Sequence, residues 1–139
     1  MTPPITIFIV DDDEDDREFF IEAVAELNPG IIFRQFNNGQ DALQTIQSAK
    51  SSLPDLIFLD LNMPRLNGLQ CLQQLKHNER SLEIPVVIYT TIKQKEDMEE
   101  TRKLGAIRYN IKPICPEDLK IKKEIEHVVT ALLNNSVNN

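Results

Sequence analysis

Residues 55–68 read DLIFLDLNMPRLNG, and the apolar run near their start decides the fold. Leu56, Ile57, Phe58 and Leu59 are apolar at every position. A strand with one face in water alternates, whereas one that is apolar throughout is buried on both faces, as in a parallel sheet covered by helices on each side. Four similar short runs recur: ITIFIV (5–10), IIFRQF (31–36), PVVIYT (85–90) and AIRYNI (106–111). The segments between them carry helical spacing. After Asp11, the residues Phe20, Val24 and Leu27 share a face, and Asn28-Pro29-Gly30 stops that helix. A second helix is predicted from Gln40 to Lys50, with Ala42, Leu43 and Ile46 inward. The stretch GLQCLQQLK (68–76) predicts a third, with Leu69, Leu72 and Leu75 as its apolar stripe. A charged fourth helix lies in KQKEDMEETRKLG (93–105), closed by Gly105. The fifth, PEDLKIKKEIEHVVTALL (116–133), has Pro116 near its first turn and Leu119, Ile125, Val128, Val129 and Leu132 inward. Strand alternating with helix builds βαβ units, so the predicted class is α/β with a doubly wound parallel sheet of five strands.

The 139 residues suit a single domain with a core over 5–133 and a polar tail, NSVNN preceded by Asn134, over 134–139. No run approaches the roughly 20 apolar residues of a membrane span. The first ten residues lack the basic region and cleavage site of a signal peptide, so a cytoplasmic protein is expected. Cys71 and Cys115 show no metal-ligand spacing and are read as reduced thiols. The net charge of −7 is unevenly placed. Residues 1–60 hold 12 acids and 3 bases, while 61–139 hold 10 acids and 12 bases. An acidic front half offers phosphate backbones no cluster of Lys and Arg, so direct nucleic-acid binding is not expected.

In open sheets of this class, ligands sit outside the carboxyl ends of the strands. Those ends carry Asp11 and Asp12 after strand one, Asp60 after strand three, Thr90 and Thr91 after strand four, and Lys112 after strand five. Three carboxylates, two hydroxyls and an ammonium would converge on one rim. The chemistry they suit is phosphoryl transfer to a carboxylate, with Asp60 as nucleophile. Two like charges about 4 Å apart repel by about 4 kcal/mol at an effective dielectric near 20, so Asp11 and Asp12 call for a cation. Mg²⁺ fits, as a hard ion held by one or two carboxylates that also accepts a phosphate oxygen. Lys112 and Thr90 would take further phosphoryl oxygens. Asp13 to Asp16 read differently, as acids at a helix start that stay in water, with Arg17 and Glu18 on the same exposed face.

These residues resemble a two-component response-regulator receiver domain. The likeness rests on Asp11-Asp12, on DLNMPRLNG (60–68) as D-x-x-M-P-x-x-x-G, on Thr90, and on Lys112-Pro113. It implies the flavodoxin-like strand order 2-1-3-4-5. It implies Asp60 as phosphoacceptor, Mg²⁺ on Asp12, Asp60 and the carbonyl of Asn62, and Asp11 acting mainly through water. It also implies a switch pair, Thr90 and Tyr109, and a cis Lys112-Pro113 bond. The chain departs from the family at Thr91, where a smaller residue is usual and whose extra methyl narrows access to the acyl phosphate, and at Asp13, an additional acid.

The resemblance implies phosphorelay signalling: a sensor histidine kinase as donor, and a downstream partner protein or phosphotransfer protein as recipient. No output domain is expected after residue 133. The chain is expected to catalyse its own modification without being an enzyme otherwise. A homodimer through the last strand and helix is compatible with the sequence. Alternatives remain open: a receiver-fold scaffold that is never phosphorylated, or a Mg²⁺-dependent aspartate-nucleophile phosphatase, for which Asn62 stands where a second acid is needed. An EF-hand over Asp11–Glu22 has Asp16 where its sharp turn requires Gly, and a strand-like run where a helix should precede it.

Overall fold

The computed structural model describes residues 4–26, 29–48, 50, 52–64, 66–112 and 119–137. Five strands alternate with five helices: β1 Thr6–Val10, α1 Glu14–Ala25, β2 Ile32–Phe36, α2 Gly39–Gln47, β3 Leu56–Leu59, α3 Gly68–Lys76, β4 Val86–Thr90, α4 Lys95–Lys103, β5 Arg108–Ile111 and α5 Leu119–Val137. The strands are all parallel, in the order β2-β1-β3-β4-β5. The order reverses direction after β1, and that places the ends of β1 and β3 side by side.

Successive side chains of a strand point to opposite faces, and the core divides accordingly. Phe8, Val10, Ile57, Leu59, Val86 and Ile88 pack with Ala42, Leu43, Ile46, Leu72 and Leu75, under α2 and α3. Ile7, Ile9, Leu56, Phe58, Val87 and Tyr89 pack with Phe20, Val24, Ile125, Val128 and Val129, under α1 and α5. β3 is buried at all four positions, and the edge strand β2 is exposed or half-buried at four of its five. The all-apolar run therefore lies at the centre of the sheet.

Local chemistry sets the helix ends. Asp13, Asn38 and Asn67 are extended N-caps whose side chains accept the N–H groups of Asp16, Asp41 and Gln70. Gln70 also returns its side chain to the Asn67 N–H, completing a capping box. Gly105 ends α4 with φ of 105°, a left-handed conformation that side chains disfavour. Three helices depart from expectation, and one of them, α5, continues to Val137 through most of the segment expected to be a polar tail. α2 stops at Gln47 because Ser48 turns extended and the Arg80 guanidinium takes the carbonyls of Ile46 (2.9 Å) and Ser48 (3.3 Å). On α3 the buried set is Gly68, Cys71, Leu72 and Leu75, an i, i+3, i+4, i+7 stripe, and Leu69 lies half-buried beside it. Leu27, Cys115 and the Lys112-Pro113 bond fall outside the described residues, as do the side chains of Leu119 and Leu132.

Candidate phosphoacceptor site

Asp11, Asp60 and Lys112 reach the rim because backbone pairing continues one residue past the strands. The N–H of Asp11 donates to Phe36, that of Asp60 to Val10, and that of Lys112 to Thr90 (3.0, 2.9 and 2.8 Å). Gly68 closes the far side. A Cβ there would lie 2.1 Å from the Asp60 carbonyl oxygen and 2.5 Å from the Leu61 Cα, so only glycine lets α3 begin against the exit of β3.

Lys112 stands at the centre. Its Nζ lies 2.6 Å from Asp11 Oδ2, 2.8 Å from Asp16 Oδ2 and 3.3 Å from Asp60 Oδ2. The side chains of Lys112, Asp11 and Asp60 are each only 5% exposed. Backbone N–H groups serve the two buried acids: Asp13 donates to Asp11 Oδ1 (3.0 Å) and Asn62 to Asp60 Oδ1 (3.2 Å). Arg17 Nη1 donates to the Asp11 carbonyl oxygen at 2.6 Å, and its Nε to Gln35. Burial pushes the Asp11 carboxyl up to about 6, and its bond to Lys112 limits that rise. Burial alone would lower Lys112, but its bonds to Asp11 and Asp16 and the charges of Asp11 and Asp60 together raise it.

Asp11, Asp12 and Asp60 offer carboxylate oxygens that all lie within 4.8 Å of one another, two of the residues buried and Asp12 exposed. A single ammonium shared by Asp11, Asp16 and Asp60 leaves the rim with excess negative charge. All-oxygen donors and uncompensated charge fit a hard divalent cation.

The other predicted residues occupy the neighbouring strand end. Thr90 is fully buried and its Oγ1 accepts the Ile92 N–H at 3.4 Å. The half-buried Tyr109 donates its hydroxyl to the Ile92 carbonyl at 2.7 Å. The two thus meet on one residue of the loop between β4 and α4. Thr91 and Asn62 are exposed. Two expectations are corrected. Asp16 is an ion-pair partner of Lys112 instead of an acid left in water, and Arg17 is half-buried against the Asp11 backbone instead of sharing the exposed face of Glu18. No local pattern marks Asp16 for this: it is the third helical residue after the N-cap Asp13, its N–H bonded back to Asp13 Oδ1, and the fold brings Lys112 to its carboxylate.

The sequence profile described as the response regulator receiver domain matches residues 7–124. The nitrate/nitrite response regulator protein NarL of Escherichia coli is 36% identical over 116 residues, covering 84% of this chain and 51% of that protein. The probable methanogenesis regulatory protein FilR2 of Methanothrix harundinacea is 31% identical over 120 residues, 84% of this chain and 77% of that one. The chain thus spans about half the length of NarL and more of FilR2. Among solved structures, the phosphorylated cyanobacterial phytochrome response regulator RcpA superposes with a TM-score of 0.87 at 25% identity, over 96% of both chains. The Mn²⁺-bound form of the response regulator Rcp1 superposes with a TM-score of 0.81 at 26% identity, over 90% of this chain and 91% of that one. No helix among the described residues is long and apolar enough to cross a membrane. With a profile match over most of its length and an acidic rim at the switch point of a five-stranded parallel sheet, the chain belongs to the response regulator receiver domain family.

Proposed function

We propose that Asp60 accepts a phosphoryl group from the phosphohistidine of a sensor histidine kinase, and that the modified domain regulates a partner protein. The observation that carries this reading is the buried Asp60 carboxylate 3.3 Å from the Lys112 ammonium, at an acidic rim on the switch point of the sheet. An Asp60 carboxylate oxygen attacks phosphorus, the phosphorus–nitrogen bond breaks, and the departing imidazole keeps the electron pair and takes a proton. The Lys112 ammonium is within reach of a phosphoryl oxygen of the new acyl phosphate, and the Thr90 hydroxyl serves another by turning from the Ile92 N–H. Thr91, exposed beside it, bears on how easily water reaches the phosphorus in the hydrolysis that resets the domain. Asp11, Asp12, Asp60 and the Asn62 carbonyl would hold Mg²⁺, which when bound offsets the repulsion of the acids and the charge on the transferring group. The likeness to RcpA, described as phosphorylated, and to Rcp1, described as Mn²⁺-bound, supports both parts of the reading.

Phosphorylation adds about −1.5 to −2 of charge at Asp60. Thr90 and Tyr109 would carry that change outward, because both hold Ile92. A hydroxyl drawn to the phosphoryl group leaves the Ile92 N–H, and the loop and the Tyr109 ring repack. Moving such an equilibrium from 1:99 to 99:1 takes about 5.5 kcal/mol of differential interaction. The face that would read it is α4-β5-α5, whose α4-β5 part holds a groove of about 380 Å³ with Met98, Ala106, Ile107 and Tyr109 in its lining and Lys95, Glu99, Arg102 and Arg108 beside them. A downstream partner, a phosphotransfer protein or a second copy of the chain would bind there.

The test is incubation with acetyl phosphate and Mg²⁺, then intact mass and peptide mapping. One phosphoryl group on Asp60, and none on an Asp60→Asn chain that melts normally, is the expected result. A labelled Asp60→Asn chain rejects Asp60 as acceptor, and an unlabelled wild type favours a scaffold that is never phosphorylated.

A further inference from the structure

Three carboxylates hold Lys112, and their duties diverge once the reaction proposed above begins. Asp11 and Asp60 belong to the group whose oxygens lie close enough to share a cation, while Asp16 is not among those acids in the described residues. Asp60 also loses charge from its own oxygens when it becomes an acyl phosphate. Asp16 has neither duty. Its Oδ2 lies 2.8 Å from the ammonium, nearer than that of Asp60 at 3.3 Å. Its backbone is fixed on the first turn of α1, where its N–H donates to Asp13 Oδ1 at 3.1 Å. An ammonium has three N–H donors and no acceptor, so Asp11, Asp16 and Asp60 together satisfy it.

We propose that Asp16 is a positioning residue for Lys112. It keeps the ammonium at the rim while a cation and the phosphoryl group claim Asp11 and Asp60, so that the N–H given up by Asp60 turns to a phosphoryl oxygen. Asp16 acts through Lys112 and touches neither donor nor metal. This rests on the reading of Asp60 as phosphoacceptor. The contact joins residues 96 apart in sequence, so α1 and the end of β5 are tied together at the reacting rim.

The experiment measures the rate of acetyl phosphate labelling at saturating Mg²⁺ for the full chain and its variants. Asp16→Ala should slow labelling about tenfold, the worth of one hydrogen bond to a charged group. Asp16→Asn, which still offers the ammonium an oxygen, should recover part of that loss. Asp15→Asn controls for charge, since Asp15 stands exposed on the same turn, and it should label near the wild-type rate. In a Lys112→Ala background, Asp16→Ala should bring no further loss, because residues acting through one contact are not additive. An Asp16→Ala rate equal to that of Asp15→Asn, or an undiminished effect without Lys112, overturns the positioning role while leaving Asp60 as acceptor. Absence of label on the wild type overturns both readings. Should Asp16→Ala melt early, the Asp16→Asn rates with and without Lys112 decide the matter.

Discussion

Two lysines of this chain are drawn out of water and meet opposite surroundings. Lys112, at the end of β5, sits among the carboxylates of Asp11, Asp16 and Asp60. Lys76, in the last turn of α3, donates to the carbonyls of Leu82 and Ile84, both at 3.2 Å. Burial lowers Lys76, whereas the acids around Lys112 more than reverse the same effect. Carbonyl dipoles can hold an ammonium and brace a loop, but they store no charge that a reaction could redistribute. Only the first lysine is surrounded by groups that a cation or a phosphoryl group would rearrange. What distinguishes the two ammoniums is partner type, carboxylates around Lys112 and carbonyls around Lys76, with burial common to both.

The largest expected effect comes from breaking the charged side. Lys112→Met leaves buried Asp11 and Asp60 facing each other without their counter-charge, and removing one partner of a buried pair costs about 3–5 kcal/mol. Chemical denaturation should show that loss, and Mg²⁺ should recover part of it because the orphaned acids are the ones a divalent cation fits. A loss that Mg²⁺ leaves unchanged would detach Asp11 and Asp60 from metal binding. Lys76→Met should cost less, about 1–2 kcal/mol for two hydrogen bonds to carbonyls, with no response to Mg²⁺. Its dependence on pH has a definite sign. Because the folded value lies below the ordinary 10.5, the unfolded chain holds more protons between the two. The site's contribution to stability therefore rises as pH climbs through that window, and the stability gap between wild type and Lys76→Met should widen there. A gap that narrows would mean that the Lys76 ammonium is favoured by the fold. The smallest effect is at Tyr109→Phe, which removes only the bond to the Ile92 carbonyl and should cost about 1 kcal/mol. If the hydroxyl helps hold the resting loop, this variant should also shift the phosphorylated-to-resting conformational balance, read by NMR shifts of Ile92 and Thr90. Unchanged shifts there would remove Tyr109 from the switch.

Legibility followed the range of the interactions. Apolar strands, the acids at the start of the first helix and the polar residues at each strand end are local patterns, and the fold has the strands, that helix start and those strand ends where the patterns put them. Leu69 lies beside the buried stripe of α3 because Cys71 takes the buried slot with Leu72, and a pattern of leucines alone does not show a cysteine in that slot. The end of α2 was set by Arg80, more than 30 residues away. The groups holding Lys76 were similarly invisible, since a loop carbonyl has no signature in sequence.

Periodicity and the point where each strand stops are enough to specify the parallel sheet, its coverage on both faces and the acids, hydroxyls and lysine at its carboxyl rim. Tertiary structure alone decided which carboxylates share the ammonium. Asp16 and Lys112 stand 96 residues apart, and whether the first turn of α1 reaches the end of β5 depends on how a helix is seated on the sheet, a matter of packing that no local spacing encodes.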